Sequence, residues 1–186
     1  MTVVRRIRRG AGSMRVHVIA ASCVCASLTA LASSGLTFQA PDGWKSLPPS
    51  SSMRVADFSL PRAAGDAEDA ELVVYYFGGE GGGVDANIAR WESQMVPPPG
   101  KTPVPTRRET RTVNGLKVTL VDVHGTYVAA MMPGASAHND KPGFRLRAGV
   151  VETPKGPYFL KLTGPEKTVA KWDDAFGRFV ASLKYQ

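Results

Sequence analysis

Residues 107–131 read Arg-Arg-Glu-Thr-Arg-Thr-Val-Asn-Gly-Leu-Lys-Val-Thr-Leu-Val-Asp-Val-His-Gly-Thr-Tyr-Val-Ala-Ala-Met, and the architecture of the chain turns on them. Asn114-Gly115 is a two-residue hairpin turn, because both positions must accept positive φ. It joins a polar strand over 107–113 to a return strand over 116–131, long enough to bend near Gly125. Strands joined so tightly are antiparallel. Downstream of the loop 132–143, 144–152 and 157–163 form a second hairpin pair. Upstream, Glu-Leu-Val-Val-Tyr-Tyr-Phe (71–77) is the strongest strand, since β-branched and aromatic side chains fit a pleated, buried surface. Residues 53–60 alternate as one more strand, with Met53, Val55 and Asp57 on one side.

Two helices complete the pattern. Val84, Ile88, Trp91 and Met95 recur at helical steps behind Asp85, and Pro97-Pro98-Pro99-Gly100 stops the run. The last helix covers 165–183 in one piece. Pro165 and Glu166 suit its first turn, and Val169, Trp172, Phe176, Phe179 and Leu183 line one face. Gly177 in mid-helix implies a close backbone approach by a neighbour. The expected fold class is α+β: an antiparallel β-sheet flanked by two main helices, an α/β/α sandwich. No internal repeat is visible.

Composition divides the 186-residue chain into a leader and a body. The net charge of +7 comes from 23 bases against 16 acids, but five arginines and no acid lie in the first 32 residues. Residues 33–186 carry 18 bases against 16 acids, a balance of +2, so the alkaline character argues poorly for nucleic-acid binding. Basic 1–15, apolar 16–32 and the small residues Ala30-Leu31-Ala32 before Ser33 have the layout of a secretory signal peptide cut between Ala32 and Ser33. The 17 residues from Val16 to Ala32 fall short of the roughly 20 a spanning helix needs, so no transmembrane helix is expected in the mature form. Arg5-Arg6 is not followed by a twin-arginine pattern. Cys23 after Ala20-Ala21-Ser22 resembles a lipoprotein box without its large aliphatic residue, leaving a lipid anchor there as the alternative. Met14 is an alternative start to Met1. Both cysteines, Cys23 and Cys25, fall in the leader, so the body over 33–186, a single domain, has no thiol, disulfide or thiolate metal ligand.

A resemblance rests on three stretches: Pro-Asp-Gly-Trp (41–44), Asn-Ile-Ala-Arg-Trp-Glu-Ser-Gln (87–94) and Gly-Pro-Glu-Lys-Thr-Val-Ala-Lys-Trp (164–172). They resemble an uncharacterised class of exported bacterial proteins. The order of elements over 36–184 is similar to the PsbP-like fold, which includes the extrinsic photosystem II subunit, a Ran-GTPase-binding protein and bacterial envelope lipoproteins. The resemblance implies partner binding rather than catalysis, and it transfers no functional residue, because those proteins share no catalytic motif.

Chemistry-bearing candidates are few. Gly78-Gly79-Glu80-Gly81-Gly82-Gly83 joins a strand to a helix, where the amides around Gly79, Gly81, Gly82 and Gly83 can meet an anion. Val84-Asp85 stands where a phosphate loop needs Lys-Ser/Thr, so a flexible connection is the plainer reading. Asp122, His124 and Thr126 alternate onto one face, and Asp122 with His124 is the best acid–base pair. His138, Asn139 and Asp140 lack metal-ligand spacing, so no metal and no cofactor is expected. Arg90 and Gln94, one turn apart beside Trp91, rim a groove or a solvated face. Arg107, Arg108, Arg111, Arg145 and Arg147 gather into a basic surface if their strands are neighbours, yet they lack the interleaved aromatics of nucleic-acid recognition.

The reading favoured by these features is an exported, non-enzymatic binding or accessory domain of the bacterial cell envelope, periplasmic or extracellular. Its partner is an envelope protein or small ligand. The alternatives are a small-molecule hydrolase using Asp122 and His124, and a structural envelope component.

Overall fold

The computed structural model describes residues 35–130 and 138–186; the expected leader, its Ala32–Ser33 cut and both cysteines lie outside the described residues. The described elements are β1 (Leu36–Thr37), β2 (Lys45–Leu47), β3 (Arg54–Leu60), β4 (Ala70–Tyr76), α1 (Val84–Ser93), β5 (Met95–Val96), β6 (Arg107–Val113), β7 (Leu116–Tyr127), β8 (Lys141–Glu152), β9 (Tyr158–Pro165), α2 (Glu166–Lys171), α3 (Asp173–Ala181) and β10 (Lys184–Tyr185). The fold is α+β. An eight-stranded antiparallel sheet runs β2-β3-β4-β9-β8-β7, with β5 and β6 sharing the outer edge of β7. The pair β1–β10 stands apart as a second small sheet. Among the described residues, no helix is long and apolar enough to cross a membrane.

The hairpin at Asn114-Gly115 forms with φ of 48° and 83°, and Val113 faces Leu116 across it. Strand alternation then sorts the core into two sets. Phe58, Leu72, Val74, Leu120, Leu160 and Leu162 pack with Val169 of α2 and Phe176, Phe179 and Val180 of α3. The intervening residues Val121, Val123, Leu146, Ala148, Val150 and Phe159 pack with Ile88 and Trp91 of α1 and with Met95. Burying each such side chain contributes roughly 1.5–3 kcal/mol, so the helices are held by these stripes.

Several boundaries differ from the sequence reading, each for a non-local reason. The C-terminal helix is two helices broken at Trp172 (φ −103°, ψ 10°), whose indole N–H donates to the Pro61 carbonyl at 2.9 Å. Pro165 ends β9, opposite Phe144, before α2 begins. Gly177 has nothing within 4 Å of where a Cβ would stand, so no neighbour approaches it closely. Met95 leaves the helix to pair with Tyr127, although it stays buried. β7 stops at Tyr127, and β8 begins at Lys141 because its pairing with β7 continues past a register shift between Gly125 and Tyr127; residues 131–137, which hold the expected strand end and part of the expected loop, lie outside the described residues. In β3 a register shift between Arg54 and Ala56 resets the alternation: Met53 and Val55 stay exposed while Asp57 is buried beside Phe58.

Candidate functional site

Asp122 and His124 project from β7 on the face that carries Leu120, toward the C-terminal helices. The structure brings them together, with His124 Nε2 3.4 Å from Asp122 Oδ1. Cross-strand register places Arg147 opposite Asp122 and Arg145 opposite His124 on β8, with Arg107 of β6 on the other flank of Asp122. Arg145 donates to both Asp122 oxygens, from Nε at 2.7 Å and Nη2 at 2.6 Å, a bidentate geometry that a planar fork favours. Its Nη1 donates to Asp173 Oδ2 at 2.9 Å, and Arg147 Nη1 donates to Asp173 Oδ1 at 2.6 Å. Asp173 opens α3, where the helix dipole favours an acid. Burial raises the Asp122 pKa, but the Arg145 bonds and the charges of Arg145, Arg147 and His124 outweigh it and hold Asp122 below the ordinary carboxylate range.

His124 Nδ1 faces Glu166 Oε1 at 3.2 Å, so both ring nitrogens are turned to carboxylates. A general base needs one ring nitrogen aimed at the proton it takes. A cleft of about 290 Å³ opens beside this network, bordered by Arg107, Glu109, Asp122, Arg145, Arg147 and Asp173 but not by His124. The anticipated arginine gathering is therefore real and largely answered by acids. Beyond it, Arg108 pairs with Asp85 at 2.8 Å and Arg111 lies 3.8 Å from Glu109.

The glycine segment is packed more tightly than a free connection. A Cβ on Gly81 would stand 2.2 Å from the Phe159 ring, and one on Gly156, in the β8–β9 turn, would stand 2.4 Å from Gly79 Cα. The buried Asn87 donates from Nδ2 to the carbonyls of Gly81 at 2.7 Å and Gly83 at 3.0 Å, tying the loop to the first turn of α1. A second cleft, about 270 Å³, touches Gly82 and Gly83 and is bordered by Val84, Val150, Glu152, Thr153, Gly156 and Pro157. Its one charged side chain is a carboxylate, which disfavours an anion beside the glycine amides. His138 and Asn139 bond the backbone carbonyls of Val128 and Ala129 at 3.0 and 2.8 Å. No group of three or more metal-ligating side chains occurs among the described residues.

A third constellation escaped sequence reading. On the α1 side of β9 the alternation Phe159, Lys161, Thr163 places a lysine amid apolar neighbours, with Val73 and Ala148 directly opposite on β4 and β8. Lys161 Nζ donates to Gln94 Oε1 at 2.7 Å and to the Tyr127 hydroxyl at 3.0 Å, and it lies 5.0 Å from the Tyr127 ring centre. Among the described residues no carboxylate forms an ion pair with it. Glu71 and Asp57 are instead both taken by Arg54 Nη1, at 3.1 Å each. Burial, followed by the charges of Arg90 and Arg54, pushes the Lys161 ammonium down to about 8 against the partial help of Glu71. Burial pushes Tyr127 up to about 12 and raises Tyr75 as well. Arg90 donates to Asn87 Oδ1 at 2.5 Å. Of the α1 groove candidates, Gln94 and Arg90 therefore join this cluster, whereas Trp91 is core at 2% exposure. Asp57 Oδ1 and Thr163 Oγ1, on the same side, are buried without a hydrogen bond. The available signal was Lys161 itself, a lone charge inside Tyr-Phe-Leu-Lys-Leu-Thr.

No family model matches the chain, and neither does any curated protein. Among solved structures it is similar to a Pseudomonas aeruginosa protein of unknown function, with a TM-score of 0.47 and 15% identity over 82% of this chain and 98% of that one. It is also similar to the PsbP protein of the cyanobacterium Synechocystis, with a TM-score of 0.45 and 13% identity over 87% of this chain and 99% of that one. A PsbP-like protein thus stands among its structural neighbours.

Proposed function

We propose that this chain is an exported, non-enzymatic binding domain of the bacterial cell envelope, an α/β/α sandwich of the PsbP-like kind, released by a cut between Ala32 and Ser33. One observation carries the non-catalytic half of the reading: both nitrogens of His124 face carboxylates, and Asp122 is clamped by Arg145. A base so engaged has no lone pair aimed at a substrate proton. The basic-then-apolar leader carries the export half.

Crosslinking in intact envelopes, followed by capture of the protein, tests it. A specific partner or ligand is expected, on material whose N-terminus is Ser33. Full-length protein beginning at Met1 in the cytosol, with nothing captured, would overturn the reading. The cleft beside Asp122 favours the competing hydrolase reading, which an activity screen decides. Turnover abolished by His124→Ala would put that enzyme in place of the binding domain.

A further inference from the structure

We propose, resting on the binding reading above, that Lys161, Arg90 and Tyr75 form a seat for the carboxylate group of an organic monoanion on the α1 side of the sheet. An ammonium has three N–H donors, and Lys161 gives two of them to Gln94 and Tyr127. Both acceptors are neutral, so the charge is oriented but not compensated. Among the described residues, the third donor meets no acceptor. Tyr75, diagonal to Lys161 across the β4–β9 pairing, makes no hydrogen bond through its hydroxyl among the described residues, and its ring is held by stacking on Phe77 at 5.8 Å. Arg90 faces the same ground from α1, close enough that its charge acts on both Lys161 and Tyr75. An ammonium, a phenol and a guanidinium, the last anchored through Nη2 to Asn87 Oδ1, thus share this side of the sheet, one each from β9, β4 and α1.

Local charge selects the ligand. Arg54, Arg90 and Lys161 set three cations against the two carboxylates Asp57 and Glu71, leaving one positive charge. A monoanion neutralises the site. A doubly charged phosphate would overshoot and be repelled by Glu71, which already acts on Lys161. The half-buried Tyr75 and Tyr127, each stacked on a phenylalanine, offer apolar surface for the organic part of such a ligand.

The charged and titratable groups on the Lys161 side are Arg90 from α1, Glu71 and Tyr75 from β4, Arg54 and Asp57 from β3 and Tyr127 from β7. Because an ammonium that titrates near pH 8 is competent only when protonated, apparent affinity falls about tenfold from pH 7 to pH 9.

Calorimetric and NMR titration of the purified protein tests the seat with propionate, benzoate, inorganic phosphate, and a short N-acetylated peptide with free or amidated C-terminus. The expected result is saturable binding of a carboxylate, weaker binding of phosphate, and amide shifts around Lys161. Lys161→Met should weaken it at least tenfold and Arg90→Gln severalfold. A preference for benzoate over the free-acid peptide assigns a small free carboxylate, and the reverse assigns a chain terminus. The proposal is overturned if no carboxylate saturates, if phosphate binds more tightly, or if Lys161→Met binds like wild type. Should that variant fail to fold, the wild-type pH profile decides, and a flat profile overturns the seat. Should no carboxylate saturate while a partner is captured equally by wild type and Lys161→Met, the seat is refuted and the binding reading stands.

Discussion

Replacing Lys161 by Met should change how stability depends on pH, in a direction opposite to that expected for a salt-bridged lysine. The folded-state value near 8 lies below the ordinary 10.5, so between these values the unfolded chain holds the proton more often than the folded one. Stability therefore rises with pH in that window, and below pH 8 the folded state carries the full desolvation burden. Integrating the two titrations gives a gain of about 2 kcal/mol between pH 8 and pH 10. Tyr127 works the other way, since its value near 12 lies above the ordinary 10 and its contribution is lost as pH rises from about 10 to 12. Its loss sets in only from about pH 10 upward, so below that the wild-type curve minus the Lys161→Met curve reports the lysine. Urea unfolding at half-unit steps from pH 7 to 10, followed by tryptophan fluorescence, measures this. The difference should close by about 2 kcal/mol as pH rises. Parallel curves would mean that Lys161 titrates normally in the folded protein, and the uncompensated ammonium would be refuted.

Gly81→Ala should destabilise by about 1–3 kcal/mol, because its Cβ meets the Phe159 ring, whereas Gly83→Ala, with open space and φ of −71°, should be near neutral; thermal unfolding of the pair compares them directly. Asp122→Asn should cost about 2 kcal/mol at neutral pH, less than for a fully buried pair because Arg145 and Asp122 keep 12% and 16% of their side-chain exposure. The depressed Asp122 pKa contributes stability that is present above its ordinary value near 3.8 and lost as pH falls through the lower folded value, so acid unfolding of the Asn variant should be shallower.

What could be read from sequence was what local chemistry determines. Asn114-Gly115 announced its turn because few residues accept positive φ, and a period of two put Asp122 and His124 on one face. The period did not reveal that Arg145 and Arg147 would arrive from β8 to occupy the same acids, since that depends on the register of a neighbouring strand. Trp172 breaks its helix through a carbonyl 111 positions away, a distance over which periodicity carries no information. Lys161 is the sharpest case. Its partners come from Gln94, which caps the end of α1, and from the far end of β7, so its desolvation follows from topology rather than from residues 157–163.

Two kinds of inward cation therefore sit on the sheet, and their compensation separates their roles. Arg145 and Arg147 are matched by Asp122 and Asp173 in fork geometry, and Arg147 also covers Phe176 at 4.8 Å. A completed set of that kind joins β7, β8 and α3, and packing accounts for it. Among the described residues Lys161 has only neutral oxygens and a ring face, although Arg54 takes both Glu71 and Asp57 on the same side of the sheet. Stability alone would place an apolar side chain between Val73 and Ala148, since an ammonium held there lowers the free energy of unfolding at neutral pH. A cation that costs stability and is held by neutral partners alone is better placed to meet a ligand than one whose acids already match it, and that contrast makes the α1 side, not the arginine cleft, the place to test for one.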